Sequence, residues 1–306
     1  GIVGCGEKKA QYPEKPIQLY VGAKAGGGTD VVVRKIAPLL EEALGQPVVI
    51  VNKDGGSGHM CNLEVFSSKP DGYIIGVTTD FATAGNMVSS SNLGYTKDDF
   101  NFIGTVDMNT NVLYLSKNFP GEKTFNGVIQ YAKAHPGELT IGTTSAAQQM
   151  VLTSMAKSAG IDISPILFSG GSVSFNNLLG GHIDACFAAP TFAQQAIAND
   201  CAMVAVASHE RFEPLADVPS FKEMGYDVIN NTLSRVFYVP KDTPEEIVEF
   251  LSNTLQEVTD NDEFKEFLKK SGVMYRFAGH KELTERFNQT YDSLAQVVKE
   301  KPELEK

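Results

Sequence analysis

Several features that define common protein classes are missing from this 306-residue sequence. No apolar stretch approaches the ~18–20 residues that a membrane-spanning helix needs, so no such helix is predicted. There is no internal repeat of short period and no low-complexity tract. Basic residues are the minority, because 26 Lys and Arg face 37 Asp and Glu for a formal net charge of −11. Nucleic acids are bound through basic surfaces, so this balance argues against a nucleic-acid partner.

Residues that commonly carry metals or catalysis are also sparse. The five histidines are scattered without the spacing of metal ligands, and no cysteine pair has such spacing, so we predict no metal site and no cofactor. Residues 55–59 nearly match the nucleophile turn of hydrolases, but His59 stands where the last glycine belongs. No pair of carboxylates indicates acid–base chemistry. We therefore predict that the protein is not an enzyme.

Three of the four cysteines, Cys61, Cys186 and Cys201, lie inside segments with strand or helix patterns. Three internal thiols cannot all pair with one another. Cys186 and Cys201 both fall at predicted strands and could meet in a disulfide. We expect free buried thiols instead, because unpaired cysteine is among the most frequently buried residue types.

The fourth cysteine, Cys5, lies in a different setting. Residues 1–9 read GIVGCGEKK. This resembles the end of a bacterial lipoprotein signal, followed by the cysteine that is lipidated, although the basic start of such a signal is not in the sequence. We expect Cys5 to carry a lipid and residues 1–11 to form a tether outside the cytoplasmic membrane. A chance match over four residues is the alternative.

The most informative segment is residues 20–34, which read YVGAKAGGGTDVVVR. An alternating apolar run predicts a strand, and apolar residues at helical spacing predict a helix that starts at Thr29 or Asp30. Glycines at this junction leave amides uncovered at the positive end of the helix, which suits an anion. The nucleoside-triphosphate loop needs a lysine after the glycines, and the dinucleotide loop needs glycine or alanine where Val31 stands. Both nucleotide patterns fail, which leaves a carboxylate seat or a purely structural glycine turn.

Strand and helix signals alternate along the rest of the chain, which predicts an α/β fold with parallel sheets. Ligands of such folds bind beyond the carboxyl ends of the strands. Hydroxyl-rich loops follow three predicted strands, at residues 78–80, 142–145 and 169–172. Each of these loops alone is a common helix cap. Together with the glycine-rich loop they indicate the lining of a site for a polar, anionic ligand.

Several segments, in order, resemble one family, the substrate-binding proteins of tripartite tricarboxylate transporters. The matching segments read YPEKPIQLYVGAKAGGGTDVVVRKIAPLLEEALGQPVVIVNKDGGSG, KPDGY, AKAHPGEL, FSGGSVSFNNLLGGHIDACFAAP, RFEPLADVPSFKEMGY and VPKDTPEEIVEFL. The resemblance covers nearly the whole chain from Tyr12 onward. Its order and spacing are far more specific than any single glycine loop.

The resemblance implies a two-lobed, periplasmic-binding-protein-like (type II) α/β fold. Each lobe is then a mixed sheet flanked by helices, and crossing strands join the lobes. The first lobe is expected at residues 12–114 and 235–306, and the second at residues 115–234. The implied function is capture of a small organic acid by lobe closure and its delivery to the membrane subunits of a tripartite transporter. We expect a monomer outside the cytoplasm that touches the membrane only through the lipid.

The resemblance also implies which residues contact the ligand. A ligand carboxylate is expected at the glycine-rich loop and at the loop that follows the third strand of the first lobe. Further contacts are expected from loops of the second lobe. The positions that match these contacts are Ala25, Gly26, Gly27, Asp30, Thr78, Thr79, Asp80, Thr144, Ser145, Ser169, Gly170, Ser172 and Thr191.

This chain departs from many relatives at three places. Gln148 stands near a position often held by histidine, Ser169-Gly170 replaces a lysine–glycine pair, and an aromatic residue is missing around Arg235. We predict that Arg235 binds a second ligand carboxylate in bidentate fashion, because a guanidinium matches that geometry. A salt bridge between the lobes, or a surface arginine, is the alternative.

Some questions remain open at the level of the sequence. Di- and tricarboxylates, acidic amino acids and aromatic acids all present a carboxylate to the same loop. A ligand sensor for a signalling receptor would have the same two lobes. An α/β enzyme acting on an anionic substrate is a third interpretation, and the missing nucleophile–base pair weakens it.

Overall fold

The structure, a computed structural model, describes residues 11–304. Cys5 and nearly all of the predicted tether lie outside the described residues. Two sheets with helices packed on both form the molecule. The strands are β1 (Ile17–Val21), β2 (Val48–Asn52), β3 (Ile74–Thr79), β4 (Phe100–Met108), β5 (Val112–Leu115), β6 (Leu139–Thr143), β7 (Ile163–Leu167), β8 (Ala185–Ala188), β9 (Ala202–Val206), β10 (Arg235–Pro240) and β11 (Met274–Gly279). The helices are α1 (Gly28–Leu44), α2 (His59–Phe66), α3 (Asp80–Ser89), α4 (Phe125–Ala134), α5 (Ala146–Ala159), α6 (Gly171–Leu179), α7 (Ala193–Ala198), α8 (Glu245–Thr259), α9 (Asp262–Lys270) and α10 (His280–Glu300).

Each lobe is built on one mixed sheet, as predicted. The first sheet has the strand order β11-β4-β10-β3-β1-β2. Its strands β1, β2 and β3 are parallel, whereas β10 runs antiparallel to both β3 and β4. The second sheet has the order β7-β6-β8-β5-β9, with β6 parallel to β7 and β8, and β5 antiparallel to β8 and β9. The carboxyl ends of the parallel strands carry the loops where a ligand was expected.

The chain crosses between the sheets at two neighbouring segments. It leaves the first sheet through residues 109–111 and returns into β10 through residues 231–234. The two crossings are joined, because the Asn109 amide donates to the Leu233 carbonyl at 2.7 Å and the Leu233 amide donates back at 2.9 Å. The lobe boundary predicted after residue 114 falls inside β5, which pairs wholly within the second sheet. We therefore propose residues 109–111 as the boundary instead, while β10 begins at Arg235, where the return was predicted.

One apolar core is continuous between the two lobes. It contains Phe81 and Ala84 of α3, Met150 and Val151 of α5, and Leu294 of α10, all buried. Helix α10 packs along both α3 and α5. The side of the molecule that holds α10 is thus filled by apolar contacts, and the space between the lobes lies at the starts of α3 and α5.

The three cysteines within residues 11–304 are free and buried, so the predicted free thiols are confirmed. Burial raises the pKa of Cys61 and of Cys186 to about 11. Because this pKa is raised, both thiols stay in the unreactive protonated form at neutral pH. In the described part of the chain, no helix combines the length and apolar character needed to cross a membrane.

Candidate functional site

A cavity of about 540 Å³ lies between the lobes. The starts of α3 and α5 and the two crossing segments border it. Its lining is mostly hydroxyl, amide and small apolar groups. The lining residues are Ser57, Thr79, Phe81, Ala82, Gly85, Asn86, Ser89, Asn109, Asn111, Thr144, Ser145, Ala146, Ala147, Gln148, Gln149, Leu167, Leu233, Ser234, Arg235, Glu303 and Leu304.

Arg235 enters the cavity from the start of β10 and is held by a buried carboxylate. Its Nη1 donates to Oδ2 of Asp107 at 2.6 Å, and its backbone amide donates to Oδ1 at 2.9 Å. The Asp107 side chain is 1% exposed and that of Arg235 is 17% exposed. Nε of Arg235 is buried and has no hydrogen-bond partner among the described residues. The guanidinium therefore has donors left over, but its charge is already matched by Asp107 within the same lobe.

The glycine-rich loop is organised by Asp30 in the first turn of α1. Oδ2 of Asp30 accepts from the Gly26 amide at 2.8 Å and from Nε of Arg34 at 2.8 Å. Oδ1 accepts from Nδ2 of Asn52 at 2.9 Å. Burial alone raises the pKa of Asp30, but the hydrogen bonds from Arg34, the Gly26 amide and Asn52 outweigh it and lower the pKa to about 2. Asp30 is therefore an ionised, fully bonded anchor of the loop.

The loop amides predicted to bind the ligand are mostly in use. The Gly26 amide bonds Asp30, and the Gly27 amide donates to the Lys24 carbonyl at 3.0 Å. Ala25 and Gly26 are exposed and do not line the cavity. In the described part of the chain, the amides of Ala25 and of residues 28–30 have no hydrogen-bond partner.

Gly28, the first residue of α1, lies beside Arg235. A methyl group added at Gly28 would lie 3.1 Å from Nη2 of Arg235. The start of α1 and the guanidinium of the crossing strand are thus immediate neighbours. An anion held by these amides would also meet Arg235.

The loop after β3 contributes one of its three predicted residues to the cavity. Thr79 lines it and lies opposite Arg235 in the antiparallel pairing of β3 with β10. Thr78 points into the core, where its Oγ1 lies 3.2 Å from Oγ1 of Thr83. Asp80 is 4% exposed and accepts from the Ser234 amide at 2.8 Å and from Nη2 of Arg286 at 2.9 Å.

We propose a supporting role for Asp80 in place of the predicted ligand contact. Burial raises the pKa of this carboxyl, and the charge and hydrogen bond of Arg286 act against the rise. Its bonds fasten the crossing segment at Ser234 to α3 and α10. We assign it to the support of the crossing rather than to ligand contact.

The start of α5 supplies the polar wall of the second lobe. Oγ of Ser145 caps the helix by accepting from the Gln148 amide at 3.1 Å. Oε1 of Gln148 accepts from the amide of Thr144 at 2.7 Å, and its Nε2 donates to Oδ1 of Asn111 at 3.3 Å. Among the described residues, the amides of residues 145–147 have no hydrogen-bond partner. Gln148 thus ties this helix start to the crossing segment and leaves three amides for a ligand.

The other predicted contacts of the second lobe are not part of the cavity lining. Ser169 and Ser172 are exposed at the start of α6, and with Gly170 they are absent from the lining. Thr191 is exposed and contacts the first lobe, since a methyl group added at Gly272 would lie 2.8 Å from its Cγ2.

The structure thus brings together Thr79, Thr144, Ser145 and Arg235 of the predicted site. Among the lining residues that sequence reasoning missed, Ser57 comes from the glycine-rich turn after β2, which was set aside as a failed hydrolase motif. Asn111 was missed because it lies just outside a strand, where an amide side chain carries no distinctive pattern. Its bond to Gln148 depends on the meeting of distant segments. In residues 11–304, no three His, Cys, Asp or Glu side chains are grouped as a metal site.

Two mixed α/β lobes, two crossing segments and a polar cavity between them define a solute-binding protein of the periplasmic type. The chain matches the family described as "Tripartite tricarboxylate transporter family receptor" over residues 32–302, and it belongs to that family.

Individual relatives agree. The chain is 30% identical over 262 residues to the "UPF0065 protein in gbd 5'region" of Cupriavidus necator, covering 85% of this chain and 79% of the relative. A TctC solute-binding protein from Polaromonas has a TM-score of 0.83 at 26% identity, with 95% of this chain and 100% of that chain covered. A protein from R. palustris solved with adipate has a TM-score of 0.75 at 24% identity, covering 94% and 98% of the two chains, and shares the fold.

Proposed function

We propose that the protein captures a small organic acid in the cavity between its lobes and delivers it to the membrane subunits of a tripartite transporter. The observation that carries this proposal is the start of α5, whose three free amides border the cavity beside Thr144 and Ser145. No acidic residue occupies the first turn of α5, so the positive end of its dipole is not cancelled. Such a helix start favours an anion. We call this anion-binding position, made of the free amides of residues 145–147 with the side chains of Thr144 and Ser145, the α5 seat.

A second anion seat lies on the opposite lobe. The free amides of residues 28–30 neighbour Arg235, which borders the cavity together with Thr79. A ligand that bonds the first-lobe seat and the α5 seat at once has higher affinity for the closed arrangement of the lobes than for the open one. That difference in affinity is what drives hinge closure.

Family membership supports the transport role and the absence of catalysis, and the relative solved with adipate supports a carboxylate ligand. We propose that the protein works as a monomer outside the cytoplasm, held to the membrane by lipid on Cys5. The proposed ligand contacts are Thr79, Thr144, Ser145, Arg235 and the free amides at the starts of α1 and α5. We assign Gly26, Gly27 and Asp30 to the shape of the loop.

The test is a thermal-shift screen of protein that has been unfolded, stripped of ligand and refolded. Mono-, di- and tricarboxylates are compared with the corresponding amides, which keep the shape of each acid but lose its charge. We expect at least one carboxylate to raise the melting temperature and its amide to have no effect. Stabilisation by uncharged solutes alone would refute the proposed function.

Gln148→Glu tests the α5 seat directly. The new carboxylate keeps the oxygen that accepts from Thr144 but places a negative charge beside the free amides. We expect the affinity for the best carboxylate to fall at least ~tenfold, equivalent to ~1.4 kcal/mol. The melting temperature without ligand is expected to fall modestly, because the bond from Nε2 to Oδ1 of Asn111 is lost. Gln194→Glu is the matched control, because Gln194 is exposed on α7 of the same lobe and outside the cavity lining. Unchanged affinity in Gln148→Glu would show that the ligand charge lies elsewhere.

A further inference from the structure

The side chains of the cavity supply no net positive charge. Of the described residues that line it, Arg235 and Glu303 are the charged ones. The charge of Arg235 is matched by Asp107, whose two oxygens bond its Nη1 and its amide at 2.6 and 2.9 Å. Asp107 itself is buried behind the lining. The cavity thus contains an arginine without offering its full charge to a ligand.

Helix starts supply the positive potential that remains. The N-terminus of a helix acts as roughly half a positive charge. Among the described residues, the starts of α1 and α5 each offer three successive free amides next to the cavity or to Arg235. The start of α3 also borders the cavity, but its first two amides are in use, because the Asp80 amide donates to the Ser234 carbonyl at 3.0 Å and the Phe81 amide donates to Oδ1 of Asp80 at 2.7 Å. The acid in the first turn of α1, Asp30, is paired with Arg34. Two helix starts together therefore compensate about one negative charge.

We propose that Asp107 is a specificity-determining residue that, by neutralising Arg235, restricts the cavity to ligands with a single negative charge. This inference rests on the proposed function, since it concerns the ligand of the same site. It replaces our prediction that Arg235 holds a second ligand carboxylate. A second carboxylate would lose its hydration on entering the cavity. The guanidinium that it meets is already paired with Asp107, so the free-energy cost of desolvating that carboxylate is not offset.

The far end of the ligand then meets uncharged groups. Leu167 borders the cavity with 64% of its surface exposed, and Ala82, Ala146 and Leu233 add further apolar lining. The amide side chains of Asn86, Asn109 and Gln149 lie among them. This lining suits a hydrocarbon body that carries an ester, amide, carbonyl or hydroxyl group.

Adipate and monomethyl adipate test the proposal, because they have the same carbon chain and differ in the charge of one end. Isothermal titration of the stripped wild-type protein is expected to show at least ~tenfold tighter binding of the monoester, equivalent to ~1.4 kcal/mol. In Asp107→Asn the charge of Arg235 is released, and the affinity ratio is expected to shift at least ~tenfold toward adipate. Asp107→Glu keeps the negative charge and is expected to keep the preference for the monoester.

Asp98→Asn is the matched control, because it removes a negative charge from a side chain that is 82% exposed. Its affinity ratio is expected to equal that of the wild type, and melting temperatures of all variants separate loss of fold from loss of selectivity. Tighter binding of adipate than of its monoester by the wild type would overturn the inference and leave the proposed function intact. If Asp107→Asn does not fold, this wild-type comparison still decides whether the cavity is restricted to ligands with a single negative charge. Failure of these probes together with every acid of the thermal-shift screen would refute the proposed function itself.

Discussion

Asp30→Asn is the sharpest perturbation of the glycine-rich loop. The carboxylate accepts three hydrogen bonds, from the Gly26 amide, Nε of Arg34 and Nδ2 of Asn52. An asparagine side chain offers one acceptor oxygen and one NH₂ group. Whichever way the amide is turned, its NH₂ faces a donor, so at least one donor loses its partner. Such a loss is costly in a side chain that is 1% exposed.

The size of the effect follows from the pKa of Asp30, which the loop lowers from the ordinary 3.8 to about 2. Each pKa unit corresponds to ~1.4 kcal/mol, so the ionised carboxylate contributes about 2.5 kcal/mol to the free energy of unfolding at pH 7. Because the pKa is lower in the folded state, this contribution is present above about pH 4 and is lost as the pH falls toward 2. About half of it is expected to remain at pH 3. The hydrogen bond from Arg34 is the largest of the contributions that lower this pKa. Because the Arg34 side chain is 53% exposed, solvent screens its ion pair and about 2.5 kcal/mol is an upper value.

The assay is urea unfolding of the wild type and Asp30→Asn at pH 7 and pH 3. We expect a difference in the free energy of unfolding of about 2.5 kcal/mol at pH 7, falling to about half at pH 3. Asp98→Asn, on an exposed side chain, is expected to differ little from the wild type at either pH. A difference between wild type and Asp30→Asn that is the same at both pH values would refute the reasoning, because it would show that the carboxylate's charge is not what holds the loop.

Three further predictions concern packing, the α5 cap and the thiols. Gly127→Ala is expected to lower the free energy of unfolding by about 2–4 kcal/mol in urea titrations, since a Cβ there would overlap the Glu122 carbonyl oxygen. Ser145→Asp is expected to leave the melting temperature within a few degrees of wild type, because aspartate caps helices as well as serine does. It should still weaken carboxylate binding at least ~tenfold, since its negative charge offsets the positive end of the α5 dipole. Equal binding by Ser145→Asp and wild type would contradict an anion site at the start of α5. The three described cysteines are expected to react with a thiol reagent at pH 8 only after unfolding, and fast reaction of the native protein would contradict their burial.

Local patterns in the sequence predicted the parts of this molecule that depend on neighbouring residues. The strand, glycine-rich loop and helix around residues 20–34 appear as β1, the loop and α1, with the helix beginning at Gly28 instead of Thr29 or Asp30. Glycine at 26 has a φ of +84°, a backbone conformation that favours glycine. The capping role of Ser145 also follows from its position before a helix.

Long-range pairings account for what local patterns missed. Asp107 and Arg235 are 128 residues apart in sequence, and Asp80 and Arg286 are 206 apart. An acidic residue on a strand or at a helix start gives no sign of the distant cation that will face it. For this reason the predictions of ligand contact for Arg235 and Asp80 took no account of their partners, Asp107 and Arg286. Their roles became visible only when the crossing strands brought the segments together.

The helices that begin beside the cavity or beside Arg235 have acidic residues in their first turns in the first lobe and an uncharged cap in the second. This difference affects how strongly each lobe binds a carboxylate. In the first lobe α1 and α3 begin with Asp30 and Asp80, whose charges are consumed by bonds inside that lobe. In the second lobe α5 is capped by the uncharged hydroxyl of Ser145, which satisfies one amide and leaves the dipole intact. A carboxylate should therefore gain more from α5 than from α1, where a negative side chain is already present. We expect the ligand to draw the second lobe toward a first lobe whose loop, crossing segment and Arg235 are held in place before the ligand arrives.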